Sequence, residues 1–293
     1  MSYINPLTKD SLNQAVLMIT PYFTFQSTSD PLTIIQSFIL GIVQALTEFL
    51  PVSSSGHLVI VQDLLGGQTG GDAAFEVAVH MGTLLSILVI LRREVASLLG
   101  GFVSAKFRAP SWREEVTFVL LSAIPAGIIG VLFKDELEHS FGNLKGVGVA
   151  LILTGFLLLT TRNRAGTRQA LSIWDSLWIG MAQAVAILPG VSRSGSTISV
   201  ALWLGIQRER AAKLSFLMSL PVIGGAGLLK GLDLSEQPVS SAVLSSLIIG
   251  ATSSFIFGLF ALRLMLRWIS RPSFAYFGVY CIVVGSLSIL LAL

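Results

Sequence analysis

Apolar residues fall in long runs along this chain, and two of the runs are broken in the same way. Residues 32–50 are apolar almost throughout, stop at Pro51, and resume only over 58–65. Residues 173–188 stop at Pro189 and resume over 197–204. At about 1.5 Å per residue, each resumed piece covers about 12 Å, far short of the ~30 Å hydrocarbon core of a bilayer. Each broken run therefore predicts a helix–loop–helix hairpin that enters the membrane and turns back. Six other runs, near 74–91, 116–133, 146–161, 212–229, 240–262 and 274–292, are long enough to cross. Residues 1–31 differ: Pro6, Pro21 and Pro31 break any long helix, and the segment reads as an extension, with an interfacial helix near 12–25 as the alternative.

The two broken runs also match residue for residue. With a constant shift of 139 and no gap, Gly41, Gln44, Ala45, Val52, Ser53, Ser55 and Gly56 fall on Gly180, Gln183, Ala184, Val191, Ser192, Ser194 and Gly195. This is an internal repeat. Repeat one spans 32–161 and repeat two 173–292, within one membrane domain, 32–293; Gly155 against Gly285 is a weaker match of the same plan.

Charge adds orientation. Lys and Arg crowd alternate loops: Arg92, Arg93, Lys106, Arg108 and Arg113; then Arg162, Arg164 and Arg168; then Arg263, Arg267 and Arg271. Loops rich in Lys and Arg stay cytoplasmic. The alternation holds only if residues 173–205 begin and end on the cytoplasmic side. Residues 66–73 carry no Lys or Arg, so the first hairpin begins and ends outside. Each half is then one hairpin and three crossings, which inverts the second half against the first and lets the hairpin tips meet near the midplane. The expected fold is an all-α integral membrane protein with six transmembrane helices and two re-entrant hairpins in inverted repeats, both chain ends outside the cytoplasm. Composition agrees: only 12% of residues are charged and 53% are hydrophobic, with mean hydropathy +0.79, against about 25% charged in soluble domains. A net charge of +3 does not suggest nucleic acid as a partner. The one cysteine, Cys281, allows no intrachain disulfide, and the chain carries neither a Cys/His zinc cluster nor a P-loop.

The polar residues inside the hairpins are the candidates for chemistry. Glu48 lies in an apolar segment, where a charge costs about 2.5–3.5 kcal/mol even on lenient scales, and Gln44 is one helical turn before it. The tip Ser53-Ser54-Ser55-Gly56-His57 offers hydroxyls, free N–H groups at a helix start and an imidazole. The partner tip, Ser192-Arg193-Ser194-Gly195-Ser196-Thr197, adds a guanidinium whose planar fork suits phosphate oxygens. An acid, an imidazole, a guanidinium and several hydroxyls converging in the membrane point to a site for an anionic headgroup. Glu76 and His80, one turn apart, rank lower, and His139 reads as a solvated loop residue.

These residues resemble the undecaprenyl-diphosphate phosphatase family of the bacitracin-resistance type, over about residues 30–293. The resemblance rests on QALTEFLPVSSSGH, similar to the family's E/Q-x-x-x-E and PVSSxGH, and on LPGVSRSGST, similar to its PGxSRSGxT. It implies a bacterial inner-membrane enzyme, with its active site open to the periplasm, that removes the terminal phosphate of undecaprenyl diphosphate. It also implies a divalent cation, Mg or Ca, with Glu48 and Gln44 as the metal-side residues. Glu48, Ser54, His57 and Arg193 take the catalytic positions; Gln44, Ser53, Ser55, Ser192, Ser194 and Thr197 line the substrate pocket. Either Ser54 or His57 would be the nucleophile. The expected partners are a polyprenyl diphosphate and membrane lipids, with a homodimer left open. This chain departs from the family pattern at Gln44, the less acidic variant, and at His80, where Gln is expected. Inverted repeats with broken helices also suit a polyprenyl-phosphate flippase or secondary transporter, which is the alternative.

Overall fold

The computed structural model describes residues 32–65, 73–107, 109, 111–133, 143–164, 166–235 and 239–293, all within one compact unit, Pro31–Leu293. The 1–31 extension, the loop at 66–72 without Lys or Arg, and His139 lie outside the described residues. Eleven α-helices are described: α1 Ile34–Phe49, α2 Ser54–Leu64, α3 Ala73–Ile90, α4 Arg92–Val103, α5 Trp112–Leu132, α6 Leu144–Leu159, α7 Ile173–Val185, α8 Arg193–Trp203, α9 Arg208–Ser235, α10 Ser241–Trp268 and α11 Phe277–Leu291. Among the described residues there is no strand, only a single bridge between Arg168 and Ile206. Five helices, α3, α5, α9, α10 and the stretch Phe274–Leu291, are long and apolar enough to cross a membrane. The sixth expected crossing is α6, with 16 residues.

Both broken runs are helix pairs, built alike. Thr33 caps α1 in a capping box with Gln36, and Ser172 caps α7 in one with Asp175. These are equivalent positions of the repeat, and each box satisfies orphan N–H groups of a first turn. Leu50, ahead of Pro51, is extended at ψ 146° and ends α1. Ser53 then caps α2 by accepting from the Gly56 amide, as Ser192 caps α8 by accepting from the Gly195 amide. The left-handed residue at the tip differs: it is Gly190 (φ +90°) in the second pair and Ser53 (φ 68°) in the first, where Pro51 stands at the glycine's place. A Ser held at positive φ stores strain at that tip.

The far ends of the pairs are tied by equivalent carbonyls. Gln36 Nε2 donates to Leu65 O at 3.3 Å. In the second pair, Asp175 takes the place of Gln36 and cannot donate. It grips Arg168 bidentately at 2.7 and 2.8 Å, and Arg168 Nη2 donates to Leu204 O at 2.8 Å. Three features, the first cap, the second cap and the clamped carbonyl, thus recur at the same shift of 139.

The remaining helices pack through small and hydroxyl residues. α10 lies on α1 and α3, α7 on α5, and α6 on α11. Large apolar side chains such as Leu153, Phe156, Leu228, Ile256 and Leu287 face outward, while Ser37, Ser86, Ser122, Ser253, Ser254 and Ser288 are buried. Ser86 donates to Phe255 O (2.9 Å), Ser254 to Val79 O (2.7 Å) and Ser288 to Leu144 O (3.1 Å). Apolar outside with polar links inside is the arrangement of helices in lipid, where association rests on close packing and interhelical hydrogen bonds. α6 and α11 cross antiparallel through two reciprocal glycine contacts, Gly148 with Gly285 and Gly155 with Gly278. A shift of 130 exchanges these two contacts, which places Gly155 on Gly285 as the sequence match has it.

α4 was expected as part of a basic loop. It is a 12-residue helix that buries Ser97, Leu98 and Gly101 and exposes Leu99, Phe102 and Val103 beside its arginines. The two arginines at its start hid a short amphipathic pattern.

A Cβ on Gly155 would lie 2.5 Å from Gly278 O. Gly155→Leu should force α6 and α11 apart and lower the melting temperature in detergent by roughly 3–10 °C, a cost of about 1–3 kcal/mol. Gly127→Leu, with nothing within 4 Å, should leave it unchanged.

Candidate active site

The start of α2 and the start of α8 meet tip to tip. A Cβ on Gly56 would lie 3.0 Å from Gly190 Cα, Gly195 approaches Pro51 O, and Ser194 Oγ donates to Leu50 O at 3.2 Å. Two helix N-termini therefore open on one place, each with free N–H groups and a positive dipole end suited to an anion.

Glu48, in the last turn of α1, is the hub. It is 7% exposed. Its Oε2 accepts from Ser54 Oγ at 2.6 Å and from Gln44 Nε2 at 3.1 Å, and its Oε1 accepts from Arg193 Nη2. His80 Nε2 stands 3.5 Å from Oε2, with Nδ1 donating to Glu76 O at 2.7 Å. Arg193 is the first residue of α8, and its other branch, Nη1, donates to Ser215 O of α9 at 2.9 Å. The guanidinium is thus aimed by α9 and neutralised by α1. An isolated carboxylate here would be expelled; paired and hydrogen-bonded, it is tolerated.

His57, one turn after Ser54 on α2, has different partners. Its Nδ1 is 2.8 Å from Ser53 O, and its Nε2 is 2.8 Å from the Tyr280 hydroxyl of α11. The two rings are parallel within 5° at 5.6 Å. Ser54 and His57 therefore each have their own partner, Glu48 for one and Tyr280 for the other, and the group facing Ser54 is the carboxylate.

The expected pocket residues divide into two groups. Ser53 and Ser192 spend their hydroxyls on helix caps, with Ser55 and Ser194 each 3.4 Å from them. Thr197 Oγ1 donates to Arg193 O at 2.8 Å and lies 2.6 Å from Ser215 Oγ, so it braces the turn that carries Arg193. Ser192 N donates to Thr154 Oγ1, which itself donates to Gly190 O. Three residues were not anticipated: Tyr280, Ser215 and Thr154. No motif marks them, because each acts from a helix outside the two hairpins. A Tyr inside an apolar run is the only signal that could have been followed.

For a cation, Gln44 supplies the relevant observation. Its Oε1 is buried with no hydrogen-bond partner, on the amide whose Nε2 donates to Glu48 Oε2. Among the described residues no group of three or more His, Cys, Asp or Glu could hold a metal ion. The donor set is two side-chain oxygens, which fits a hard cation that keeps waters and takes its other ligands from substrate phosphates, as Mg²⁺ does.

Removing one member of the buried pair leaves the other uncompensated. Arg193→Gln should cost roughly 3–5 kcal/mol in a detergent unfolding titration. Glu48→Gln combined with Arg193→Gln should cost less than the sum of the single changes by at least about 1 kcal/mol; additive costs would mean that the contact carries no coupling.

The same chain region stands out in comparisons with known proteins. A family model described as bacitracin resistance protein BacA matches residues 37–287. A curated relative from Salinibacter ruber, named undecaprenyl-diphosphatase, is 42% identical over 265 residues, covering 87% of this chain and 97% of the relative. Relatives of the same name from Bacteroides fragilis (41% over 261 residues, 88% and 97% covered) and Methanosphaera stadtmanae (37% over 278 residues, 89% and 99% covered) agree.

Proposed function

The chain belongs to the bacitracin resistance protein BacA family, and from that premise we propose that it is an undecaprenyl-diphosphatase. It removes the terminal phosphate of undecaprenyl diphosphate and returns undecaprenyl phosphate as the lipid carrier of cell-wall synthesis, which is the route to bacitracin resistance. The observation that carries the reading is the Glu48 carboxylate, held between Ser54 of one hairpin and Arg193 of the other. The relatives are named for the hydrolase, and the flippase or transporter alternative has no support from them.

The chemistry follows from the partners. The Arg193 fork exchanges Glu48 for phosphate oxygens, and the N–H groups at the starts of α2 and α8 hold the rest of the charge. Fixed charge on the transferring phosphoryl group supplies most of the acceleration. Ser54 Oγ attacks the terminal phosphorus as its proton passes to Glu48 Oε2, and the bond to the bridging oxygen breaks. Undecaprenyl phosphate departs as a stable anion. Water then resolves the phosphoserine, and His57 Nε2 is the basic nitrogen one turn away. Glu48 and Gln44 Oε1 would hold a divalent cation, Mg or Ca, which supplies further neutralisation of phosphate charge. Gln44 in place of an acid leaves that cation one carboxylate.

The chain is a multi-pass membrane protein. Its finer topology, as we read it, is six crossings and two re-entrant pairs, α1–α2 and α7–α8, in inverted repeats. The basic loops keep the base of α7–α8 cytoplasmic. Both pairs reach the midplane, and the site opens to the periplasmic face of the inner membrane. The polyprenyl tail lies among outward apolar side chains, each methylene contributing about 0.8 kcal/mol.

Purified protein should release phosphate from C55 diphosphate without a gradient, and EDTA should suppress it. Ser54→Ala and Arg193→Ala should each lower kcat by about 10²–10⁴, and near wild-type release from either would overturn the assignment. Rapid quench and mass spectrometry should find the phosphoryl group on Ser54; finding it on His57 would move the nucleophile there. Lipid movement across proteoliposomes with no phosphate released would restore the carrier reading.

A further inference from the structure

The reaction proposed above needs a second proton acceptor, and the surroundings of His57 identify the group that faces its free nitrogen. Ser53 O can only accept, so the 2.8 Å contact places the proton of a neutral His57 on Nδ1. Nε2 then carries the lone pair, and the Tyr280 hydroxyl, 2.8 Å away, donates to it. A phenolic oxygen that donates one hydrogen bond still has lone pairs with which to accept another. His57 is 7% exposed and Tyr280 is 45% exposed, so the phenol is the less enclosed of the two rings.

The placement of Tyr280 is fixed on both sides. Two residues before it, Gly278 packs against Gly155 O; the next residue, Cys281, donates through Sγ to Pro51 O at 3.7 Å, in the tip of the first hairpin. The helix that bears the phenol is thereby registered on the loop that bears Ser53 and Ser54. Ser54 and His57 are three residues apart on α2 and share a face, so the hydroxyl–imidazole pair stands beside the serine that receives the phosphoryl group.

We propose that Tyr280 is a catalytic residue of the second half-reaction, relaying the proton of the hydrolytic water to His57 Nε2. This deepens the phosphatase reading and rests on it. The water oxygen bonds to phosphorus as the Ser54 Oγ–P bond breaks. The water proton moves to Tyr280 Oη while the phenolic proton moves to His57 Nε2. Ser54 Oγ takes back the proton that Glu48 received in the first half-reaction. Inorganic phosphate leaves, and the imidazolium returns its proton to solvent through the same hydroxyl. The relay also accounts for the occupied Nε2, since the group in contact with it is part of the path.

Tyr280→Phe keeps the stacked ring and removes only the relay. When a second step alone is slowed, kcat and KM fall together and kcat/KM is preserved. The variant, assayed on C55 diphosphate with its cation, should lose at least about tenfold in kcat, with KM falling in proportion and kcat/KM within about twofold of wild type. Phosphoserine at Ser54 should accumulate in quenched samples, with a burst of undecaprenyl phosphate ahead of steady phosphate release. An unchanged kcat, a kcat/KM that falls as far as kcat, or a phosphoryl group trapped on His57 would each overturn the relay. Wild-type protein that releases no phosphate would instead overturn the phosphatase reading itself.

Discussion

A carboxylate from one half of the chain and a guanidinium from the other share a hydrogen bond in an apolar interior, and the rest of the molecule is arranged to allow it. Neither charge is tolerable there alone. The α1 break puts Glu48 at a helix end within reach of the next helix start, and the α8 start puts Arg193 opposite it. Ser215 O aims the guanidinium, Gln44 and Ser54 fill the second carboxylate oxygen, and the glycine contacts between tips bring the two helix starts close enough. The pair is then a charged centre, and in the proposed reaction its cationic member is traded to a phosphate.

The repeat explains how one skeleton came to hold opposite charges. Caps and clamped carbonyls are retained at equivalent positions, while the candidate site residues are not. Glu48 corresponds to Ile187, Ser54 to Arg193 and His57 to Ser196. Gln44 and Gln183 both keep a buried amide oxygen without a partner, but only the first has a carboxylate beside it. The second half donates to Ser122 O through Gln183 Nε2 instead. Shared backbone architecture brings the tips together; divergent side chains make the meeting place asymmetric, which suits the proposed reaction.

Much of this was legible in the sequence because lipid imposes strict rules. Helices must satisfy their own backbone, so broken apolar runs could be located to within a few residues, and charged residues inside them stood out as Glu48 and Arg193. The capping residues Ser53 and Ser192 were visible as site members; their hydroxyls turn out to serve the helix starts. α4 was missed because its apolar positions are few and its flanks are basic. Tyr280, Ser215 and Thr154 were missed for another reason: their contacts depend on which helices cross, and periodicity says which face of a helix is apolar but not what that face will meet. His80 was singled out as a departure, and its approach to Glu48 follows from the α1–α3 packing rather than from its own motif.

The ion pair at the centre joins residues 145 positions apart. A ribosome delivers Glu48 to the bilayer long before residue 193 has been made. Through that interval the first hairpin holds an acid without its countercharge, and it must stay protonated or close to the translocon and its water. Maturation of the site is therefore a post-insertion event, timed by the arrival of the second hairpin, and the first half of the nascent chain is the part most dependent on the insertion machinery.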